Sequence, residues 1–161
     1  MSLACRPAVA ADEDAVRRLA TAFDPRTEDG FEERYARILG RDDWALLVAC
    51  DGPALVGYAL AQDYGPGLRR AFGVGRMHDL YVDPAYRRRG AGRLLVQSVV
   101  AWCRTRPAPM ILDWQSRLDA APFYDALGLT GDTTGDTATY PAYSIDLRQD
   151  AQVPSPLKEE P

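Results

Sequence analysis

The sequence predicts one α/β domain built on a mixed sheet, and three observations carry that prediction. Its 161 residues, 47% of them apolar, suffice for one real core and fall short of two ordinary domains. The spacing of apolar residues switches between helical and strand periods in the order strand, two helices, three strands, helix, strand, helix, strand. A strand at 77–82 joined through a helix to a strand at 110–114 reads as a right-handed crossover, which makes those two strands parallel neighbours.

Leu3 to Ala8 alternates weakly and reads as a short strand. Asp12-Glu13-Asp14 opens an apolar-periodic run through Ala15, Val16, Leu19, Ala20 and Phe23, where acids in the first turn suit a helix dipole. Phe31, Tyr35, Ile38 and Leu39 repeat the three-to-four spacing, and Gly40 stops that second helix. Trp44–Cys50 and Ala54–Ala61 are dense apolar runs on either side of the turn residues Asp51-Gly52-Pro53, so they form a hairpin. Gly65 to Gly75, glycine-rich and basic, reads as a loop. Met77-His-Asp-Leu-Tyr-Val82 is the next strand, closed by Asp83-Pro84. From Gly90 to Arg104, Leu94, Leu95, Val99, Val100 and Trp102 keep a helical period, and Pro107 and Pro109 end it. Met110–Trp114 is a short buried strand, Ala120–Leu127 a short helix stopped by Gly128, and Ala138–Leu147 the final strand. The domain spans residues 1–147; residues 148–161, with Pro154, Pro156 and a charged end, read as a disordered tail without core-forming residues.

Composition excludes several function classes. The N-terminus lacks the basic start and apolar run of a secretory signal, and no stretch approaches the roughly 18 apolar residues of a membrane span; a soluble, cytoplasmic protein is expected. Cys5, Cys50 and Cys103 are odd in number and far apart, which suits neither a disulfide framework nor zinc spacing, and they read as buried small hydrophobes. With His78 the only histidine, no metal is implied. The net charge of −4 argues against a polyanion binder. Yet Arg87, Arg88, Arg89 and Arg93 crowd into seven residues. A local anion site inside an acidic protein is the simplest reading.

That cluster is the segment Arg87-Arg88-Arg89-Gly90-Ala91-Gly92-Arg93, placed where a strand passes through a loop into a helix. Without side chains at 90 and 92, phosphate oxygens can approach the backbone N–H groups. The helix start adds unpaired N–H donors and the positive end of its dipole, and the arginines add charge-assisted hydrogen bonds. The segment is neither a Walker loop, because Arg93-Leu94 follows Gly92, nor a dinucleotide fingerprint, because Leu95 stands where the third glycine would be. A pyrophosphate is the expected ligand.

The segment matches the Arg/Gln-x-x-Gly-x-Gly/Ala signature of the GNAT acetyltransferases, and His78 through Gly92 resembles the strand-loop-helix unit of that superfamily nearly end to end. The resemblance continues through Trp114, Ala120, Phe123-Tyr124 and Leu127-Gly128 to the closing strand and covers roughly residues 3–147. It implies a GNAT-like mixed central sheet flanked by helices, with the fourth and fifth strands parallel and splayed around a pantetheine arm. It further implies acetyl-coenzyme A as cosubstrate, with Leu80, Tyr81 and Val82 offering backbone groups to pantetheine and the acetyl carbonyl. Arg87, Arg88, Arg89, Gly90, Ala91, Gly92 and Arg93 would hold the pyrophosphate. The strand His78–Val82 resembles the branch that includes polyamine-type and histone-type enzymes. Dimers are frequent in the family, so a homodimer is one of the assemblies the resemblance admits.

Acetyl transfer to a primary amine needs a base, because an alkyl ammonium has a pKa of about 10.4, and an acid to protonate the leaving thiolate. The resemblance assigns the acid to Tyr124. The base is His78, Asp79 or a water relay; strand alternation sends the two side chains to opposite faces of the sheet, so only one can face a given cavity. Arg117 stands where many relatives carry an asparagine that touches the pantetheine arm, and Asp113 and Trp114 read as strand core and edge. No cysteine sits in a setting that would make it an acetyl carrier, so direct transfer within a ternary complex is expected, to a small-molecule or peptide amine. The alternative is a non-catalytic acetyl-coenzyme A sensor or partner-binding module, which the glycine loop would serve equally well and Tyr124 would not require.

Overall fold

The computed structural model describes residues 2–149 and 152–158. A six-stranded mixed sheet has the order β1-β2-β3-β4-β5-β6, with β1 Leu3–Pro7, β2 Trp44–Asp51, β3 Ala54–Pro66, β4 Gly73–Val82, β5 Met110–Gln115 and β6 Ala142–Asp146. Its helices are α1 Glu13–Phe23, α2 Phe31–Leu39, α3 Ala91–Arg104 and α4 Ala121–Ala126. This is the mixed sheet with helices that the sequence predicts, and β4 and β5 are parallel. The chain forms two compact units, Met1–Gln62 with His78–Val99 and Asp63–Met77 with Val100–Pro161.

In the first unit, β1 and β3 flank β2 in antiparallel register, Cys5 opposite Ala49 and Val48 opposite Tyr58. Gly52 takes a positive φ of 58° at the hairpin turn, the conformation a side chain there would resist. Helices α1 and α2 bury Val16, Leu19 and Tyr35 against Leu46, Val48 and Tyr58 of the sheet. The start of α1 is tied down by polar groups. Asp12, 7% exposed, accepts two hydrogen bonds from Arg6 at 2.6 and 2.9 Å and one from the Val9 N–H at 2.9 Å. The Arg6 guanidinium, more than offsetting burial, holds the Asp12 carboxyl below the usual carboxylate range. The Tyr35 hydroxyl donates to the Val9 carbonyl at 2.8 Å and so joins α2 to the same corner.

In the second unit, Gly73–Arg76 of β4 runs parallel to Met110–Asp113 of β5, and β5 pairs antiparallel with β6, Leu112 opposite Ile145. Residues 65, 66, 73, 74 and 75 are therefore strand, and the expected Gly65–Gly75 loop shrinks to 67–72. The glycines serve close approach here: a Cβ on Gly75 would lie 2.7 Å from Met110 Sδ, and one on Gly73 would lie 3.3 Å from the Gly65 backbone. Arg106 and Asp63, both largely buried, close this end with a 3.0 Å ion pair.

The last strand is shorter than Ala138–Leu147 because Pro141 lacks an N–H for the ladder and a 3-10 turn occupies Gly135–Thr137. The expectation that nothing beyond Arg148 buries apolar surface is overturned. Val153 and Leu157 are 3% and 0% exposed, on either side of Pro154 and Pro156, which pack near Gly128. The rest of the tail expectation, at 150–151 and 159–161, lies outside the described residues.

Candidate active site

The loop after β4 is shaped by its prolines and glycines. Asp83 accepts from the Ala85 N–H at 2.9 Å and starts a 3-10 turn over Pro84–Tyr86. Arg88 then adopts a φ of 60° and Gly90 one of 92°. Left-handed backbone is ordinary for the glycine; for an arginine it is a strain of order 1 kcal/mol or more, of the kind that collects at ligand clamps. The Leu94 N–H reaches the Gly90 carbonyl at 3.0 Å, so the helical register gives the N–H groups of Ala91, Gly92 and Arg93 no acceptor within α3. Arg88, Arg89, Gly90 and Arg93 are exposed. Donors without an acceptor inside the helix, a helix dipole and exposed guanidiniums are what an anion cradle requires, and a pyrophosphate fits that donor set.

Arg87 is turned back onto the strand. Its Nε donates to the Val82 carbonyl at 2.9 Å, and its guanidinium lies 5.7 Å from the ring centre of Tyr81, which itself packs on Phe23 at 5.5 Å. The Tyr81 carbonyl presses on Gly57, where a Cβ would come within 2.7 Å. The end of β4 is thereby held from both sides.

His78 and Asp79 depart from the expected alternation. His78 Nε2 lies 3.2 Å from Gln62 Oε1, and its ring stacks on Trp44 at 5.1 Å; Asp79 Oδ2 accepts from the Tyr58 hydroxyl at 3.0 Å. Tyr58 and Gln62 are four residues apart on β3 and share a face, so the two consecutive side chains of β4 reach the same side. A regular strand does not do this; the pleat is locally broken, as at a bulge. His78 is exposed beside Trp44, whereas Asp79 is half-buried. Burial pushes the Asp79 carboxyl above its ordinary value despite the Tyr58 hydrogen bond, and the same burial, with the Asp79 charge, pushes the Tyr58 phenol far up.

Asp79 and Tyr58 border a cleft of about 500 Å³ between α1, α2 and the sheet, whose walls include Phe23, Phe31, Trp44, Leu46 and Leu60, with Asp24, Glu28, Arg26, Arg34 and Arg37 also lining it. Sequence reading missed Trp44 and Tyr58 as site residues. Their signal lies in the β2–β3 register, which places Trp44 opposite Gln62 and Val48 opposite Tyr58, and a single strand's pattern does not contain it.

Tyr124 belongs to the second unit, 4% exposed on α4. Its ring packs 4.5 Å from Tyr143 and 5.5 Å from Trp114, and Trp114 lies nearly parallel to Tyr143 at 5.6 Å. Burial pushes the Tyr124 phenol well above the ordinary tyrosine value. The indole N–H of Trp114 leans on the phenol and opposes that push weakly, but it lies outside hydrogen-bond geometry and Trp114 Nε1 stays buried without a partner. Arg117 faces solvent and pairs with Asp119 at 3.3 Å, and Asp113 pairs with Arg76 at 3.4 Å. Cys5 and Cys50 are half-buried, where full burial was expected; Cys103 is buried, and desolvation pushes its thiol up to about 12.

Residues 13–129 match the sequence model of the acetyltransferase (GNAT) family. The chain belongs to that family. Among solved structures, GNAT-fold similarity extends to glucosamine-6-phosphate N-acetyltransferase from Arabidopsis thaliana, at 17% identity and a TM-score of 0.69 over 84% of this chain and 96% of that one. The Salmonella typhimurium protein yncA, solved with its cofactor acetyl-CoA, is 20% identical with a TM-score of 0.66 over 96% and 99% of the two chains. AAC(6')-Iy in complex with the bisubstrate analogue CoA-S-monomethyl-acetylneamine is 20% identical with a TM-score of 0.69 over 80% and 90%. No curated protein matches the sequence. Among the described residues no group of three or more His, Cys, Asp and Glu gathers in a metal-binding arrangement, and no helix is long and apolar enough to cross a membrane.

Proposed function

We propose that this GNAT protein transfers the acetyl group of acetyl-CoA to a primary amine by direct attack within a ternary complex, residues 1–147 acting as one catalytic module. The observation that carries the reading is the cradle at 88–93, with left-handed backbone at Arg88 and Gly90 opening into α3. Arg88, Arg89 and Arg93, with the N–H groups of Ala91 and Gly92, hold the pyrophosphate, and Arg87 buttresses the end of β4. Backbone groups of Leu80, Tyr81 and Val82 orient the pantetheine arm and polarise the carbonyl.

Acetyl-CoA supplies a thioester whose carbonyl carbon bonds to the amine nitrogen as its C–S bond breaks. Asp79 takes one proton from the incoming ammonium, directly or through water, because its raised pKa makes it a stronger base than an ordinary carboxylate. The second nitrogen proton leaves as the amide forms. Tyr124, kept protonated by burial, donates to the departing sulfur and is restored from that released proton, so one proton in all passes to Asp79 and then to solvent. His78, exposed and stacked on Trp44, fits an outer relay better than direct contact. The high thiol pKa of Cys103 opposes a covalent acetyl-cysteine route.

The test is calorimetric titration with acetyl-CoA, followed by coenzyme A release across a panel of primary amines. Binding with release from at least one amine is expected. Absence of acetyl-CoA binding would remove the reading, and binding without release from any amine would leave a sensor.

A further inference from the structure

We infer that the acceptor is an arylalkylamine, a single cationic amine carried on an aromatic ring, bound in the cleft bordered by Asp79; this rests on the acetyltransfer reading above and narrows it. The volume of about 500 Å³ lies within the range of small-molecule sites, which bury most of the ligand against apolar walls. Phe23, Phe31 and Trp44 supply aromatic surface and Leu46 and Leu60 aliphatic surface. Phe23 is 41% exposed, a large apolar side chain left open to solvent at the cleft.

The charges that line the cleft decide against polycations. Asp24, Glu28 and Asp79 are matched in number by Arg26, Arg34 and Arg37, and Asp24 is already bonded by Arg26 at 3.0 and 3.1 Å. With the lining charges balanced, no net negative field remains to draw in a polyamine or a lysine-rich peptide. What remains on the sheet is one carboxylate, Asp79, beside the Tyr58 hydroxyl and within a wall of aromatic rings. One ammonium is served by the carboxylate and by the ring faces, and a flat apolar body by the rings.

The experiment measures binding and turnover separately. Phenethylamine is titrated calorimetrically into protein saturated with coenzyme A, and coenzyme A release from acetyl-CoA is measured with phenethylamine, hexylamine, spermidine and a lysine peptide. Phenethylamine is expected to bind and to show a kcat/KM at least about tenfold above each of the others. Trp44→Ala should raise KM for phenethylamine about tenfold and change that for hexylamine much less, with Leu46→Ala as a second cleft variant should the first fail to fold. Turnover of spermidine or the peptide at or above phenethylamine, or equal turnover of hexylamine, overturns the substrate class and leaves acetyl transfer standing. Phenethylamine binding without release from any amine removes the transfer and with it the acceptor role, leaving a cleft that binds arylalkylamines. Neither binding nor release removes both.

Discussion

Asp79 holds its carboxyl above the ordinary range because burial penalises its charge, and that has consequences for stability as well as chemistry. Below the unfolded-state value of about 3.9 both states keep the proton. As pH rises from there to the folded-state value, the unfolded chain releases its proton first, so stability falls across that window and stays lowered above it. Asp79→Asn should therefore melt higher than the parent at pH 7 while losing about 100-fold in kcat/KM; thermal melting and coenzyme A release check the two halves, and a variant that melts no higher refutes the burial argument. Tyr124→Phe should lower kcat by about 10- to 100-fold with acetyl-CoA affinity unchanged, and unaltered turnover would exclude Tyr124 as the acid. Of these two, Tyr124 is legible in sequence as a position on a short helix, while its proposed role as acid comes from the family resemblance of Phe123-Tyr124. The face that Asp79 occupies is not legible, since a break in the pleat between His78 and Asp79 has no marker in either residue.

At the scale of elements, the turn from β4 into α3 is where local chemistry and the proposed cofactor binding coincide. Gly90→Ala meets open space, its nearest neighbour being Leu3 Cδ1 at 4.0 Å, so its cost comes from backbone conformation, about 1–2 kcal/mol at positive φ. Relaxing that φ re-aims the cradle's N–H groups, and calorimetry should read about a tenfold loss of acetyl-CoA affinity. Parental affinity would detach the loop's conformation from binding. The elements themselves were legible where apolar period and stop signal agreed: α2 runs Phe31–Leu39 and ends at Gly40, as its spacing predicts. They were illegible where glycine carried two meanings. Gly73 and Gly75 look like loop residues in one dimension, but they are strand residues whose missing side chains admit Gly65 and Met110, and only the pairing of distant segments reveals it.

For the whole molecule, the described residues beyond β6 include two that are packed away from solvent, Val153 and Leu157. Leu157 is fully buried, and Leu157→Ala should cost about 2–4 kcal/mol, read as a lower denaturant midpoint at unchanged slope; a midpoint equal to the parent's would place Leu157 outside the cooperative unit. Sequence composition could not show this, because two prolines just before one leucine read as a linker until their packing near Gly128 is seen. The stack of Trp114, Tyr124 and Tyr143, with ring centres 4.5–5.6 Å apart, has an optical consequence. Three chromophores this close and this rigidly oriented exchange excitation energy, and a buried indole whose N–H has no hydrogen-bond partner emits at short wavelength. The native protein should give intense near-ultraviolet circular dichroism that Tyr124→Phe diminishes without moving the far-ultraviolet spectrum, so the residue assigned to protonate the leaving group carries its own spectroscopic reporter.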